Sequence, residues 1–311
     1  LNDTFMVLML VGLLMCAVGL LALAVQAARL RRQLRLMQSW RRAERRRALE
    51  ASEHWRTLYT TRAKAQLSRA GRSAALPMRF LSEDGEDRLL WDLLGDRPPG
   101  FYIECGAADG LINSVTYVLE AGGWRGLLIE PQQAWAQRAR VNRPGSTVAH
   151  TACSAPGGPT QVTFRTVSGG EESAGLMASL ASVDDQRALD SKGFTLGSVQ
   201  VPCTTMDALL APLTTHVDVL VLDVEGAELD VLKGFSLNVY RPLVLVIESI
   251  NQQDDAIRAL VEPAGYVFIA RVARNLLLVR ADETGLVDRA LSLVTLPAHL
   301  PGPSQASFGG K

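Results

Sequence analysis

Two runs, VDVLVLD (Val217–Asp223) and PLVLVIE (Pro242–Glu248), are apolar almost without alternation, and each ends on an acid. A strand with one wet face alternates apolar and polar residues, whereas a continuous apolar run suits a strand covered on both faces by helices. Strands are predicted over Phe101–Ala107, Gly126–Pro131, Thr147–Cys153, Val217–Asp223 and Leu243–Glu248. Helices are predicted between them, over Asn113–Ala121, Gln132–Val141, Thr205–Leu213, Ala227–Phe235 and Gln253–Ala264. This alternation predicts an α/β fold with a doubly wound, mostly parallel sheet. Near the end, YVFIAR and NLLLVR flank Val272-Ala273-Arg274, a C-terminal antiparallel hairpin signal that a plain dinucleotide-binding fold lacks.

The 311 residues balance to zero net charge, but the balance conceals two regions. Ala27–Arg79 carries 15 Lys+Arg against 3 Asp+Glu, a net of +12, while Phe80–Lys311 carries 17 against 28, a net of −11. Ahead of the basic region, Phe5–Val25 runs 21 residues without a charge. As a helix it is about 31 Å long, the thickness of a bilayer core. The arginines from Arg29 to Arg47 place that flank in the cytoplasm by the positive-inside rule, with the short N-terminus outside. A cleaved signal peptide needs a basic start and a shorter apolar core, and a buried helix of this length is rare. The expectation is therefore a single-pass membrane protein with its folded domain in the cytoplasm. Residues 27–70 read as a helix in which Leu30, Leu34 and Met37 begin a weak coiled-coil seam. Its arginines suit anionic lipid or simply set topology, and no nucleic-acid motif accompanies them. The resulting division is a transmembrane anchor over 1–26, a basic helical stalk and linker over 27–77, a folded domain over 78–296 and a flexible tail over 297–311. Four cysteines without CxxC spacing suggest buried free thiols, and four scattered histidines disfavour a His-rich metal site.

The chemistry concentrates where strands end. In YIECGAADG (Tyr102–Gly110) the first strand runs through Glu104 into a turn of small residues, which lets backbone approach a ligand closely. Glu130 ends the second strand in LLIEP, a position suited to accepting hydrogen bonds from the hydroxyls of a ribose. A dinucleotide site requires G-x-G-x-x-G, but Ala108 stands at the second glycine position and Asp109 repels a pyrophosphate. A nucleoside-type ligand without phosphates fits better, which disfavours an NAD-dependent oxidoreductase. DVEGAE (Asp223–Glu228) follows the fourth strand and Glu248 ends the fifth. Asp223, Glu225 or Glu248 can orient a hydroxyl or take its proton. Together they are able to bind Mg²⁺, although the spacing does not count ligands. Asp230 reads as a first-turn helix acid, and Glu228 reads equally well as that or as a site residue. The insertion Pro156–Pro202, with a strand over Gln161–Val167 and a Gly/Ser-rich centre, is either a lid or a connection. Residues that select the acceptor are expected from it.

SEDGED (Ser82–Asp87), YIECGAADG, LEAGGWRGLLIEP (Leu119–Pro131) and VDVLVLDVEGAELDVLKGF (Val217–Phe235) in combination resemble the FkbM-type methyltransferases, from about Ser82 to Glu248. The resemblance implies a class I methyltransferase-like fold with a seven-stranded sheet and S-adenosylmethionine as cofactor. It places Glu104, Gly106, Asp109 and Gly110 in the cofactor turn, Glu130 on the ribose and Asp223 near the transferred methyl. It implies O-methylation of a sugar, glycan, lipid or secondary metabolite, here expected at the membrane through Phe5–Val25. Glu83 departs from the glutamine often found in the early motif, and Cys105 from a more usual hydrophobic residue. The alternative is a non-catalytic, membrane-anchored interaction module on a degenerate version of the same fold.

Overall fold

The computed structural model describes residues 53–168, 195–214, 216–250 and 253–295. The chain divides into two compact units between His54 and Trp55, and the second, Trp55–Lys311, is the body considered below. Its order begins with helix α1 over 53–69, α2 (Glu86–Leu94), β1 (Phe101–Cys105), α3 (Tyr117–Ala121), β2 (Arg125–Ile129), α4 (Gln133–Asn142) and β3 (Ser146–Ala149). There follow β4 (Ala152–Cys153), β5 (Gln161–Ser168), β6 (Thr195–Thr204), α5 (Met206–Leu210), β7 (Val219–Leu222), α6 (Glu228–Lys233) and α7 (Leu237–Tyr240). The chain closes with β8 (Val244–Glu248), α8 (Asp254–Val261), β9 (Tyr266–Val272), β10 (Asn275–Arg280) and α9 (Thr284–Thr295).

Seven strands form one sheet in the order β3-β2-β1-β7-β8-β10-β9. The β1–β2, β2–β3, β1–β7 and β7–β8 pairs are parallel, and β10 runs antiparallel to β8 and β9. The apolar runs have the expected cause. Val244 and Val246 of β8 face one core layer with Trp91 and Tyr102. Leu245 and Ile247 face the other with Ile103 and Leu220. Both faces are buried, so the strand has no wet side to mark with polar residues. The chain leaves β1 for β2 and β3 on one side and returns to β7 and β8 on the other. The carboxyl ends of β1 and β7 therefore flank a topological switch point, where a crevice opens.

Several elements differ from the sequence-based expectation. The strand predicted over Thr147–Cys153 splits, because the β2–β3 ladder ends with Glu130 N donating to Ala149 O (3.0 Å). Thr151 Oγ1 then donates to Pro202 O (2.9 Å), and β4 joins a second, three-stranded sheet of order β4-β6-β5. β6 was not expected, since Gly197 and Pro202 weaken the strand signal. α2 was not expected either. Gly85 precedes it with φ 93°, and the Asp87 carboxylate collects Leu81 N (2.5 Å), Ser82 N (3.0 Å) and Ser82 Oγ (2.7 Å). The helix predicted from Asn113 begins only at Tyr117, because Asn113 sits at φ 54° and Val115 N is drawn to the Glu104 carboxylate (2.7 Å). In α1, Tyr59, Ala63 and Leu67 are buried in the core, so these turns of the expected stalk belong to the folded body.

The membrane assignment is corrected. Among the described residues no helix is long and apolar enough to cross a membrane. The described residues thus give the single-pass anchor with a cytoplasmic domain no support. Phe5–Val25, on which it rested, lies outside the described residues, as do the Arg29–Arg47 cluster, the centre of the Pro156–Pro202 insertion and the tail.

Candidate active site

A cavity of ≈ 270 Å³ opens at the carboxyl ends of β1, β2 and β7. Of the residues singled out from sequence, Glu104, Gly106, Glu130, Asp223 and Glu225 line it. Asp109 and Gly110 lie in the turn that forms its wall, and Glu248 sits at the end of β8 beside Asp223. Gly106 is where the two halves meet. Its φ is 90°, and a Cβ there would stand 1.7 Å from the Asp223 carbonyl oxygen. Only glycine permits the β1 and β7 ends to approach so closely.

On the β2 side, Glu130 is buried, and each carboxylate oxygen already accepts one backbone N–H. Oε2 takes Ala108 N (2.9 Å) and Oε1 takes Gln132 N (2.7 Å). These bonds fix the carboxylate against the cavity and leave it further acceptor capacity. Burial pushes its pKa up to about 7, against the two backbone bonds, which lower it. Ala108 is itself at φ 46°. Ile129, Trp135 and Phe164 supply apolar wall on the same side, Phe164 from β5 of the small sheet. The small sheet thus contributes to the cavity through Phe164 of β5 and Ala152 and Cys153 of β4.

Glu104 faces inward. Its carboxylate accepts Val115 N (2.7 Å), Thr116 Oγ1 (2.6 Å) and Ser114 Oγ (2.9 Å), with Arg143 Nη1 at 3.4 Å. Asp109 Oδ1 accepts Leu111 N and Ile112 N, both at 2.8 Å, so this acid shapes its own turn.

The β7 side is different in kind. Asp223 is accessible from the cavity yet crowded by protein on its other sides, and burial raises its pKa. Glu248 is 2% exposed, and its Oε2 has no hydrogen-bond partner. Asp223 lies within hydrogen-bonding reach of it. Two ionised carboxylates cannot bond, but one proton between them satisfies both. Burial and then Asp223 push Glu248 up to about 9, while the bond from Glu248 and the Arg274 charge lower Asp223. Arg274 Nε stands 3.5 Å from Glu248 Oε1, and its Nη2 3.5 Å from Glu83 Oε2. Glu225 has φ 54°, and burial with the Asp223 charge raises it to about 7. Glu228 is fully buried and clamps the loop before α6, its Oε1 accepting Val224 N (3.1 Å) and Gly226 N (3.0 Å). Asp230 receives only Ala155 N, at 3.4 Å.

Sequence reasoning missed Arg274 and left Glu83 without a position in the site. The hairpin signal contained the first: β10 pairs Asn275 with Glu248, so the turn residue before it must lie at the end of β8. Glu83 follows from α2, since Glu86 Oε1 accepts Asn275 Nδ2 (2.7 Å) and ties the SEDGED segment to the same hairpin. Among the described residues no group of three or more His, Cys, Asp or Glu side chains is arranged to hold a metal ion.

The model of the Methyltransferase FkbM domain family matches residues 104–268, just over half of the chain. Among solved structures the chain is similar to a TehB-like SAM-dependent methyltransferase from Corynebacterium glutamicum. The identity is 12% and the TM-score 0.32, over 75% of this chain and 96% of that one. No curated protein matches it.

Proposed function

Since the chain belongs to the FkbM methyltransferase family, whose cofactor is S-adenosylmethionine, we propose that it O-methylates a hydroxyl of a small acceptor such as a sugar, a glycan, a lipid or a secondary metabolite. The residues present fit the cofactor. Glu130 is pre-positioned with free acceptor capacity toward a ribose diol, its neighbours Ile129 and Trp135 offer an apolar wall, and the Gly106 turn carries no side chain into the crevice. When bound, S-adenosylmethionine supplies an electrophilic methyl group on a sulfonium.

The observation that carries the reading is geometric: Asp223 and Glu130 line one cavity from different strand ends, and the buried Glu248 carboxyl sits beside Asp223 at the end of the neighbouring strand. A hydroxyl that gains a methyl group must lose its proton, and Asp223 is the accessible member of the pair placed to accept it. Glu248 steadies Asp223 from behind. Arg274 keeps the accepting group anionic, and Glu225 adds a second acid at the rim. Much of the catalytic gain comes from holding the hydroxyl in line, which proximity makes worth about 7–11 kcal/mol. Glu104, Asp109 and Gly110 serve the cofactor by shaping the turn instead of touching it with their side chains.

The test is transfer of isotope-labelled methyl from S-adenosylmethionine to a panel of neutral polyols, amines and carboxylic acids by the full chain. The reading expects label in base-stable ether linkages on the polyols. Label appearing only on nitrogen or as base-labile ester would refute O-methylation of a hydroxyl.

A further inference from the structure

Arg143 stands at the C-terminal end of α4 and has no exposed surface, among the largest fully buried side chains described. Burial alone would lower its pKa, but Tyr102, Glu104 and Glu120 raise it, so the guanidinium stays charged. Buried charge is tolerated only when paired and hydrogen-bonded. Here both conditions are met, because Nε donates to Glu120 Oε2 (2.7 Å) and Nη2 to Tyr102 OH (2.7 Å) and Thr116 Oγ1 (3.0 Å). Nη1 turns the other way, to Gly110 O (3.0 Å), Ser114 Oγ (3.0 Å) and Glu104 Oε2 (3.4 Å).

Of the groups on that second side, Gly110 and Ser114 belong to the loop between β1 and α3, and Glu104 to the end of β1 that leads into it. Four of the loop's residues hold positive φ: Gly106 at 90°, Ala108 at 46°, Gly110 at 79° and Asn113 at 54°. Such a path is costly for non-glycine residues and persists only where surroundings fix it. A Cβ on Gly110 would stand 2.6 Å from Arg143 Cγ, so glycine is also what lets the arginine stem pass. Ile112, Asn113 and Val115 of the same loop line the cavity.

We propose that Arg143 is a positioning residue for S-adenosylmethionine: through Gly110 O, Ser114 and Glu104 it clamps the β1–α3 loop in the shape that receives the cofactor. This inference rests on the methyltransferase reading. A planar fork is needed, since lysine offers three donors from one nitrogen and cannot reach both sides of the network.

Calorimetry with S-adenosylmethionine on the full chain tests it. R143K is expected to weaken binding about ten-fold, the scale of losing one hydrogen bond to a charged group. T116V, which loosens Glu104 without removing charge, is expected to weaken it several-fold and decides the matter if R143K does not fold. S146A removes a bond to Glu120 (2.6 Å) on the far side from the loop. It is expected to lower Tm as T116V does and leave cofactor affinity unchanged. Wild-type affinity in both R143K and T116V, or an equal loss in S146A, would reduce Arg143 to a stability role and overturn the proposal. A second readout does not depend on the cofactor. Amide exchange at Leu111, Ile112 and Val115 in the free protein should accelerate in R143K, and unchanged protection there would also overturn it. Absence of binding by the wild-type chain would instead count against the methyltransferase reading.

Discussion

The two ends of the cavity are both built from strand-end carboxylates, yet these are held in opposite ways. Glu130 has each oxygen anchored by a backbone N–H, which fixes its direction and spares capacity for a ligand. Glu248 has a buried oxygen with no partner, and its neighbour Asp223 is pressed against it. In the proposed function the anchored Glu130 recognises, because its geometry is set before the ligand arrives. Crowded acids exchange protons, because their charge is only marginally tolerated. The difference teaches that residue type at a strand end does not assign a role, whereas the hydrogen bonds already made there do.

The comparison can be broken most severely at the residue that joins its two ends. Gly106→Ala forces a Cβ to within 1.7 Å of the Asp223 carbonyl at a φ of 90°. It should cost several kcal/mol and abolish cofactor binding, read as a large fall in Tm and a flat calorimetric trace. A near-normal variant would mean that the β1 and β7 ends need not meet. Next comes the proton-accepting end. Asp223→Asn should lower label transfer by about 10²–10⁴-fold while S-adenosylmethionine affinity stays near that of the wild type. A loss of affinity as large as the loss of rate would make Asp223 a binding residue and erase the contrast.

The pH dependence of binding sharpens the recognising end. The free Glu130 carboxyl titrates at about 7, and ribose hydroxyls donate to its ionised form. Cofactor affinity of the wild type relative to Glu130→Gln should therefore grow as pH rises through about 7. A ratio independent of pH between 5.5 and 8.5 would contradict this titration.

The smallest effect is on stability. Glu86, Glu130, Glu225 and Glu248 are all raised, chiefly by burial, so between their unfolded and folded pKa values the folded state binds more protons. Stability of the cofactor-free chain should be greatest near pH 5 and decline as pH rises through about 7 toward about 9. A Tm scan across that range checks the sign, and a Tm that climbs over the whole range would show that these acids are not held neutral.

Much of the fold was legible because its causes are local or periodic. The apolar runs at Val217–Asp223 and Leu243–Glu248 reported burial on both faces, and YVFIAR with NLLLVR reported the hairpin. Glu104, Glu130, Asp223 and Glu248 could be found because a strand followed by an acid is visible in one dimension. What could not be read depends on contacts between distant segments. The break at His150 comes from Pro202 capturing Thr151, 51 residues away. Arg143 was not singled out at all, because Glu104 and Glu120 lie 39 and 23 residues before it. The donors that Glu104 collects from Ser114, Val115 and Thr116 were not legible either, since they come from a loop whose path the sequence does not show. The membrane assignment rested on hydropathy and the arginines that follow it, and no described helix supports it.

The central claim is that recognition and proton transfer are divided between the two ends. Calorimetric titration of S-adenosylmethionine into wild type, Glu130→Gln and Asp223→Asn at one pH tests it most directly. The account predicts binding by the wild type, a loss of about 1–3 kcal/mol in Glu130→Gln, and little change in Asp223→Asn. Equal affinity in all three proteins, or a loss confined to Asp223→Asn, would contradict it.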